Sequence, residues 1–186
     1  MRAFIAIDLD PEIKKNLLDI LRRLKRLAPH NIVWVKEQGM HLTLKFLGEI
    51  DEARAAQIKD LMKDIAGRTK PFSLEMKGTG FFPPESRHPR VLWIGTMEQP
   101  VLAELQERFE SGLEKIGFGR EDRPFHPHLT LGRIKGPFAL AEILAELKKH
   151  GAAAFGEMIV DKVTLFKSVL KPTGAEYSVL EESLFS

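Results

Sequence analysis

The tetrapeptide His-Leu-Thr-Leu occurs twice, at 41–44 and at 128–131, in a chain of 186 residues that holds only six histidines. In a β-strand, residues two apart share a face. His41 and Thr43 therefore stand on one side and Leu42 and Leu44 on the other, and His128, Leu129, Thr130 and Leu131 repeat the division. The leucines suit a core, and the polar pairs suit an opening. Buried without partners, each pair would cost several kcal/mol, whereas a wet cleft satisfies all four groups. A lone HxT is ordinarily structural or accidental; two copies on similar strands call for a shared explanation.

The surroundings of the motifs repeat as well. The motif starts lie 87 residues apart (128 less 41). Alternation and short apolar runs predict strands over 3–9, 32–35, 41–47, 72–78, 91–95, 128–134, 153–160, 162–170 and 176–184. Helical stripes follow Asp10-Pro11 (Ile13, Leu17, Ile20, Leu21, Leu24, Leu27) and Asp51 (Ile58, Leu61, Met62, Ile65). Two more span 100–116 (Leu102, Leu105, Phe109, Leu113, Ile116) and the stretch after Gly136-Pro137 (Leu140, Ile143, Leu144, Leu147). The segment 117–127 has no period and reads as a loop into His128. Each half thus has a motif strand, a helix and further strands, a faint internal duplication. No long linker intervenes, so residues 1–186 are expected to form one two-lobed domain with a shared interface. Facing lobes would bring both motifs to one cleft.

Composition removes several chemistries. With 44% apolar and 29% charged residues, the chain is that of a folded protein. It has no cysteine, which excludes disulfides, thiolate catalysis and Cys-ligated zinc. A formal charge of +2 argues against a polyanion binder held by bulk charge. No apolar run is long enough for a membrane span, and the start MRAFIAIDLD lacks the pattern of an export signal, so the expectation is a cytoplasmic protein.

Two histidines and two threonines facing one another suit a phosphodiester. One imidazole takes a proton as the other gives one, each role typically contributing about 10²- to 10⁴-fold in rate. Ring pKa values near 6.5 would populate the mixed state around neutrality, and a bound phosphate would favour imidazolium further. The threonines would donate hydrogen bonds to the nonbridging oxygens, and no metal is needed. Lys45 shares the strand parity of His41 and is a candidate cation. Arg133 lies five residues beyond His128, on the opposite parity, so only a bulge, a strand end or a neighbouring segment would bring it to the site. Phe125 and Phe46 are candidates to stack on a base, and Arg90 and Arg87 to reach an RNA backbone, although solvent or core placement is the commoner explanation for such residues.

Around the two motifs, RAFIAIDL, MHLTLKFLGEI, PRVLWIG and RPFHPHLTLGRIK span almost the whole chain. In these segments it resembles the 2H phosphoesterase superfamily, specifically the RNA 2',3'-cyclic phosphodiesterases also called 2'-5' RNA ligases. The resemblance implies an α+β fold with two antiparallel sheets forming a V-shaped cleft and helices outside. It implies hydrolysis of a terminal 2',3'-cyclic phosphate to a 2'-phosphomonoester, with reversible 2'-5' joining as a second capacity. By family order, His41 would be the general acid and His128 the general base, with Thr43 and Thr130 holding the phosphate and Arg133 contributing to phosphate or nucleotide binding. No cofactor and no obligate protein partner are implied; a monomer is the simpler expectation. The partner is RNA bearing the cyclic end, with transfer RNA fragments among the candidates. Two rival readings are a noncatalytic RNA-end binding module and a metal hydrolase built on His41, His126 and His128, the latter lacking HExxH or a compact Asp/His set.

Overall fold

The computed structural model describes residues 1–28, 30–84, 86, 88–136, 140–171 and 174–186. Arg87 lies outside the described residues. In chain order the elements are β1 (Arg2–Asp8), α1 (Pro11–Leu27), β2 (Ile32–Trp34), a 3-10 turn (Glu37–Gly39), β3 (His41–Glu49) and α2 (Glu52–Ala66). There follow β4 (Phe72–Phe82), β5 (Val91–Thr96), α3 (Pro100–Lys115), β6 (His128–Ile134), α4 (Ala141–Lys149), β7 (Ala154–Val160), β8 (Lys162–Lys171) and β9 (Gly174–Leu184).

Helix boundaries follow local chemistry. Pro11 opens α1 with its fixed φ, but Asp10 makes no side-chain cap bond. Asp51 does cap α2, accepting from the Arg54 N–H at 2.8 Å. The apolar stripe of α1 is buried from Ile13 to Leu24, and its expected last member, Leu27, is exposed.

The strands form two antiparallel sheets, β3-β1-β8-β9 and β2-β6-β5-β4-β7. Both sheets therefore draw strands from both halves of the sequence. α2 and α3 pack together over the four-stranded sheet, and α1 and α4 over the five-stranded one. The main core lies between helices and sheets, with Leu42, Leu44, Leu129 and Leu131 all fully or nearly fully buried in it. The motif leucines thus anchor both strands, and β3 and β6 come into contact across the two sheets. Among the described residues no helix is long and apolar enough to cross a membrane.

β1 is buried on both faces. Ala3, Ile5 and Ile7 join the main core, while Phe4 and Ala6 form a second, smaller cluster with Phe166. That second cluster floors the side of the four-stranded sheet on which His41 stands.

Candidate active site

Each motif strand carries a β-bulge at the same place. Between Thr43 and Lys45 the register with β1 slips by one residue, and between Thr130 and Gly132 the register with β5 slips likewise. The extra residues, Leu44 and Leu131, are the fourth positions of the two tetrapeptides. A bulge reverses parity downstream of itself. For Lys45 this overturns the expectation from parity; for Arg133 it is one of the routes expected to bring it to the site.

Lys45 turns away from the opening. It is buried, at 7% exposure, and its ammonium lies 2.8 Å from the Glu110 carboxylate and donates to the Gly119 carbonyl at 2.8 Å. Its expected substrate role is therefore corrected: it is a buried structural cation. Glu110 in turn accepts from Gln106 and from the Glu121 N–H, so the pair ties β3 and α3 to the loop that delivers His128.

Arg133 turns toward the opening. Paired with Val91 and Val33, it is exposed on the face of His128 and Thr130; burial is the main cause lowering the proton affinity of His128 and raising that of the Tyr177 hydroxyl, and the Arg133 charge adds to the first and opposes the second. Phe46, the corresponding position after the first bulge, stands 64% exposed on the His41 side, 5.9 Å from Phe4 between ring centroids. Phe125 is half-buried and lines a cavity of about 490 Å³ beside His128. Arg90 is exposed next to Ile134, at the far end of β6 from His128.

The histidines occupy different environments. His41 is wedged among Phe4 (4.6 Å between centroids), Phe166 (5.6 Å) and the edge-on ring of Tyr177 (5.2 Å). Its Nδ1 is buried without a partner among the described residues. This apolar wrapping disfavours the charged ring and lowers its pKa to about 4; the nearby Asp8 carboxylate opposes the shift, and Lys14, itself 2.7 Å from Asp8, adds to it. His128 is also pushed down by burial, against the pull of a 2.7 Å hydrogen bond between Nδ1 and the His126 carbonyl. Because a carbonyl only accepts, Nδ1 carries the proton, and neutral His128 keeps its Nε2 lone pair for another proton. The expectation of two rings near 6.5 is thus corrected: burial lowers the proton affinity of both, so both favour the neutral state.

Tyr177 links the two sheets' contributions, its ring against His41 and its hydroxyl within the field of Arg133, which also reaches His128. Sequence reasoning missed Tyr177, Phe4 and Phe166. A signal was present: apolar residues on both parities of β1 mark a strand covered on both faces. Among the described residues no group of three or more His, Cys, Asp or Glu side chains is placed to hold a metal, and His41, His126 and His128 form none.

The model of the LigT-like phosphoesterases matches the chain twice, over residues 7–93 and 94–177, which start as far apart as the two motifs. The chain belongs to the LigT-like phosphoesterase family. This phosphoesterase is 35% identical to the RNA 2',3'-cyclic phosphodiesterase of Methanothermobacter thermautotrophicus over 97% of each chain. It is 36% identical to the enzyme of the same name from Thermotoga maritima, covering 100% of this chain and 96% of that one. Among solved structures, a Thermus thermophilus protein superposes with a TM-score of 0.82 at 30% identity, over 100% of this chain and 98% of that one. Escherichia coli LigT complexed with 3'-AMP gives 0.76 at 28%, with the same coverage. The α+β fold with two antiparallel sheets anticipated for the phosphoesterase is the fold observed.

Proposed function

We propose that this phosphoesterase hydrolyses RNA 2',3'-cyclic phosphate termini to 2'-phosphomonoester ends by two-histidine acid-base catalysis. The observation that carries the reading is the pair of bulged HLTL strands, one in each sheet, which put a histidine, a threonine and the redirected sixth residue, Phe46 or Arg133, on one face each. The relatives named as RNA 2',3'-cyclic phosphodiesterases match across nearly the whole chain and supply the substrate class.

In this mechanism the phosphate lies between the rings, its nonbridging oxygens accepting from Thr43, Thr130 and Arg133. His128 Nε2 takes a proton from water as the water oxygen attacks phosphorus. The P–O3' bond breaks, and His41 delivers a proton to the departing 3'-oxygen. The products are a 3'-hydroxyl and a 2'-phosphate. Which ring gives and which takes follows the family order, and the hydrogen-bonded Nδ1–H of His128 suits a base. A 5'-hydroxyl in place of water, with the same division of roles, yields a 2'-5' linkage and a 3'-hydroxyl; in the reverse cleavage back to the cyclic phosphate the two roles exchange. The anionic substrate also supplies the charge that buried His41 lacks, so the acid becomes protonated as the phosphate binds. Transfer RNA fragments with cyclic ends, met in the cytoplasm by a monomeric enzyme, are the natural setting under this reading.

The test is incubation of wild type, His41→Ala and His128→Ala with a short 2',3'-cyclic-phosphate RNA in chelator, followed by assignment of the phosphate isomer. Wild type should yield the 2'-phosphate, and each folded variant should lose about 10²- to 10⁴-fold in rate. Full activity in either variant, or binding without ring opening by wild type, refutes the assignment.

A further inference from the structure

The cavity beside His128 has a floor that the proposed chemistry does not use. Trp93 on β5 is the direct strand partner of Thr130 and shares its face. Its ring does not stand up from the sheet. A Cβ on Gly80, the partner of Trp93 on β4, would fall 2.3 Å from Trp93 Cζ2 and 2.6 Å from Cη2. A Cβ on Gly95 would fall 3.2 Å from Cζ3 of the same ring. The six-membered ring therefore rests over Gly80 on one side and Gly95 on the other, so the indole lies down across two strands. Only positions without side chains allow that approach.

A ring resting on one face offers its other face to the cavity, which Trp93 lines together with Phe82, Phe125 and His128. Phe82 adjoins the indole at 5.3 Å between centroids and meets the His128 ring edge-on at 5.0 Å. The indole N–H is buried without a partner among the described residues, a cost that a phenylalanine would not carry. At about 490 Å³ the cavity falls within the ~300–1,000 Å³ usual for small-molecule sites.

We infer that Trp93 is the platform on which the base of the 3'-terminal nucleotide stacks. The inference rests on the phosphodiesterase reading above. Base and cyclic phosphate hang on one ribose, so a phosphate held by Thr130 and His128 leaves its base over the neighbouring strand position, which is Trp93. Recognition is by π-face and not by hydrogen-bonded edge, so every base is accepted and purines, with the larger face, are favoured.

The experiment compares kcat/KM for adenosine and cytidine 2',3'-cyclic monophosphates with that for a base-free ribose 2,3-cyclic phosphate. In wild type the adenine should raise kcat/KM roughly 5- to 150-fold over the base-free compound, chiefly through KM. Trp93→Leu should keep the base-free rate and lose most of that ratio, whereas Trp93→Phe should retain most of it. An unchanged adenine-to-base-free ratio in Trp93→Leu overturns the inference. If the variants do not fold, indole fluorescence decides: in a Trp34→Phe background, which leaves one of the two tryptophans, adenosine 2'-monophosphate should quench emission and ribose 2-phosphate should not. Equal quenching by both, or none by the nucleotide, overturns it. Failure of wild type to open any of the three rings sinks the phosphodiesterase reading and this inference with it.

Discussion

Inorganic sulfate, which holds its charge constant over the working pH range, isolates the coupling between anion binding and protonation of His41. Burial among Phe4, Phe166 and Tyr177 brings the ring from 6.5 to about 4. That gap of about 2.5 pH units is worth about 3 kcal/mol at ~1.4 kcal/mol each. A dianion between the rings favours imidazolium, so sulfate should drive uptake of most of a proton at His41 between pH 5 and 6, and little at pH 8. If the bound ring regains its ordinary value, affinity rises roughly 150-fold as pH falls from 8 to 4, toward a limit of ~300-fold at still lower pH. The assay is NMR titration of the His41 ring Cε1–H with and without saturating sulfate, its seat confirmed by shifts at His128 and Arg133. The free midpoint should lie near 4 and move up by more than one pH unit when the anion is bound. A free midpoint at 6.5, or one that sulfate at this seat leaves in place, would refute the burial argument.

The same wrapping has a cost in acid. Since the folded value of His41 lies below the unfolded one, its contribution to stability is complete above pH 6.5 and declines by about 3 kcal/mol as pH falls through 4; His41→Phe should remove that part of the acid sensitivity in urea unfolding. Under the proposed mechanism substrate raises the pKa of the acid, so the optimum of kcat should lie at higher pH than that of kcat/KM, and coincident optima would count against it. Lys45→Met leaves the buried Glu110 carboxylate unpaired and should destabilise by about 3–5 kcal/mol, with much of the loss recovered in Lys45→Met/Glu110→Leu; equal losses in single and double variants would contradict this. Gly80→Ala forces a Cβ to 2.3 Å from Trp93 Cζ2, so it should cost about 1–3 kcal/mol and lift the indole, read as a change in Trp93 fluorescence.

The motif strands, their leucine anchors and all four helices were legible because each rests on local periodicity. What escaped was whatever depended on a partner strand. A strand's parity is fixed by its own sequence only while its register holds, and one unpaired residue at Leu44 and at Leu131 sent Lys45 into the core and Arg133 out of it. The sequence could raise the bulge as one of the routes for Arg133 but had no means to choose it. The aromatic wall around His41 was hidden for a related reason, since Phe4, Phe166 and Tyr177 come from three strands that meet only in the folded sheet. The lowered proton affinity of both histidines follows from that wall and from Phe82, so it too lay beyond any reading of the tetrapeptides.

The position of β1 sets an order of events during synthesis. Made first, it lies in the middle of its sheet, between β3 and β8, and β8 leaves the ribosome only after residue 162. Until then Phe4 and Ala6 lack their Phe166 neighbour, and one edge of β1 has no hydrogen-bonding mate. The other sheet is complete once Val160 has emerged. Pairings so distant along the chain close slowly and leave sticky edges meanwhile. A nascent chain stalled near 160 should thus carry one finished sheet and one open seam, a substrate for chaperones rather than for RNA.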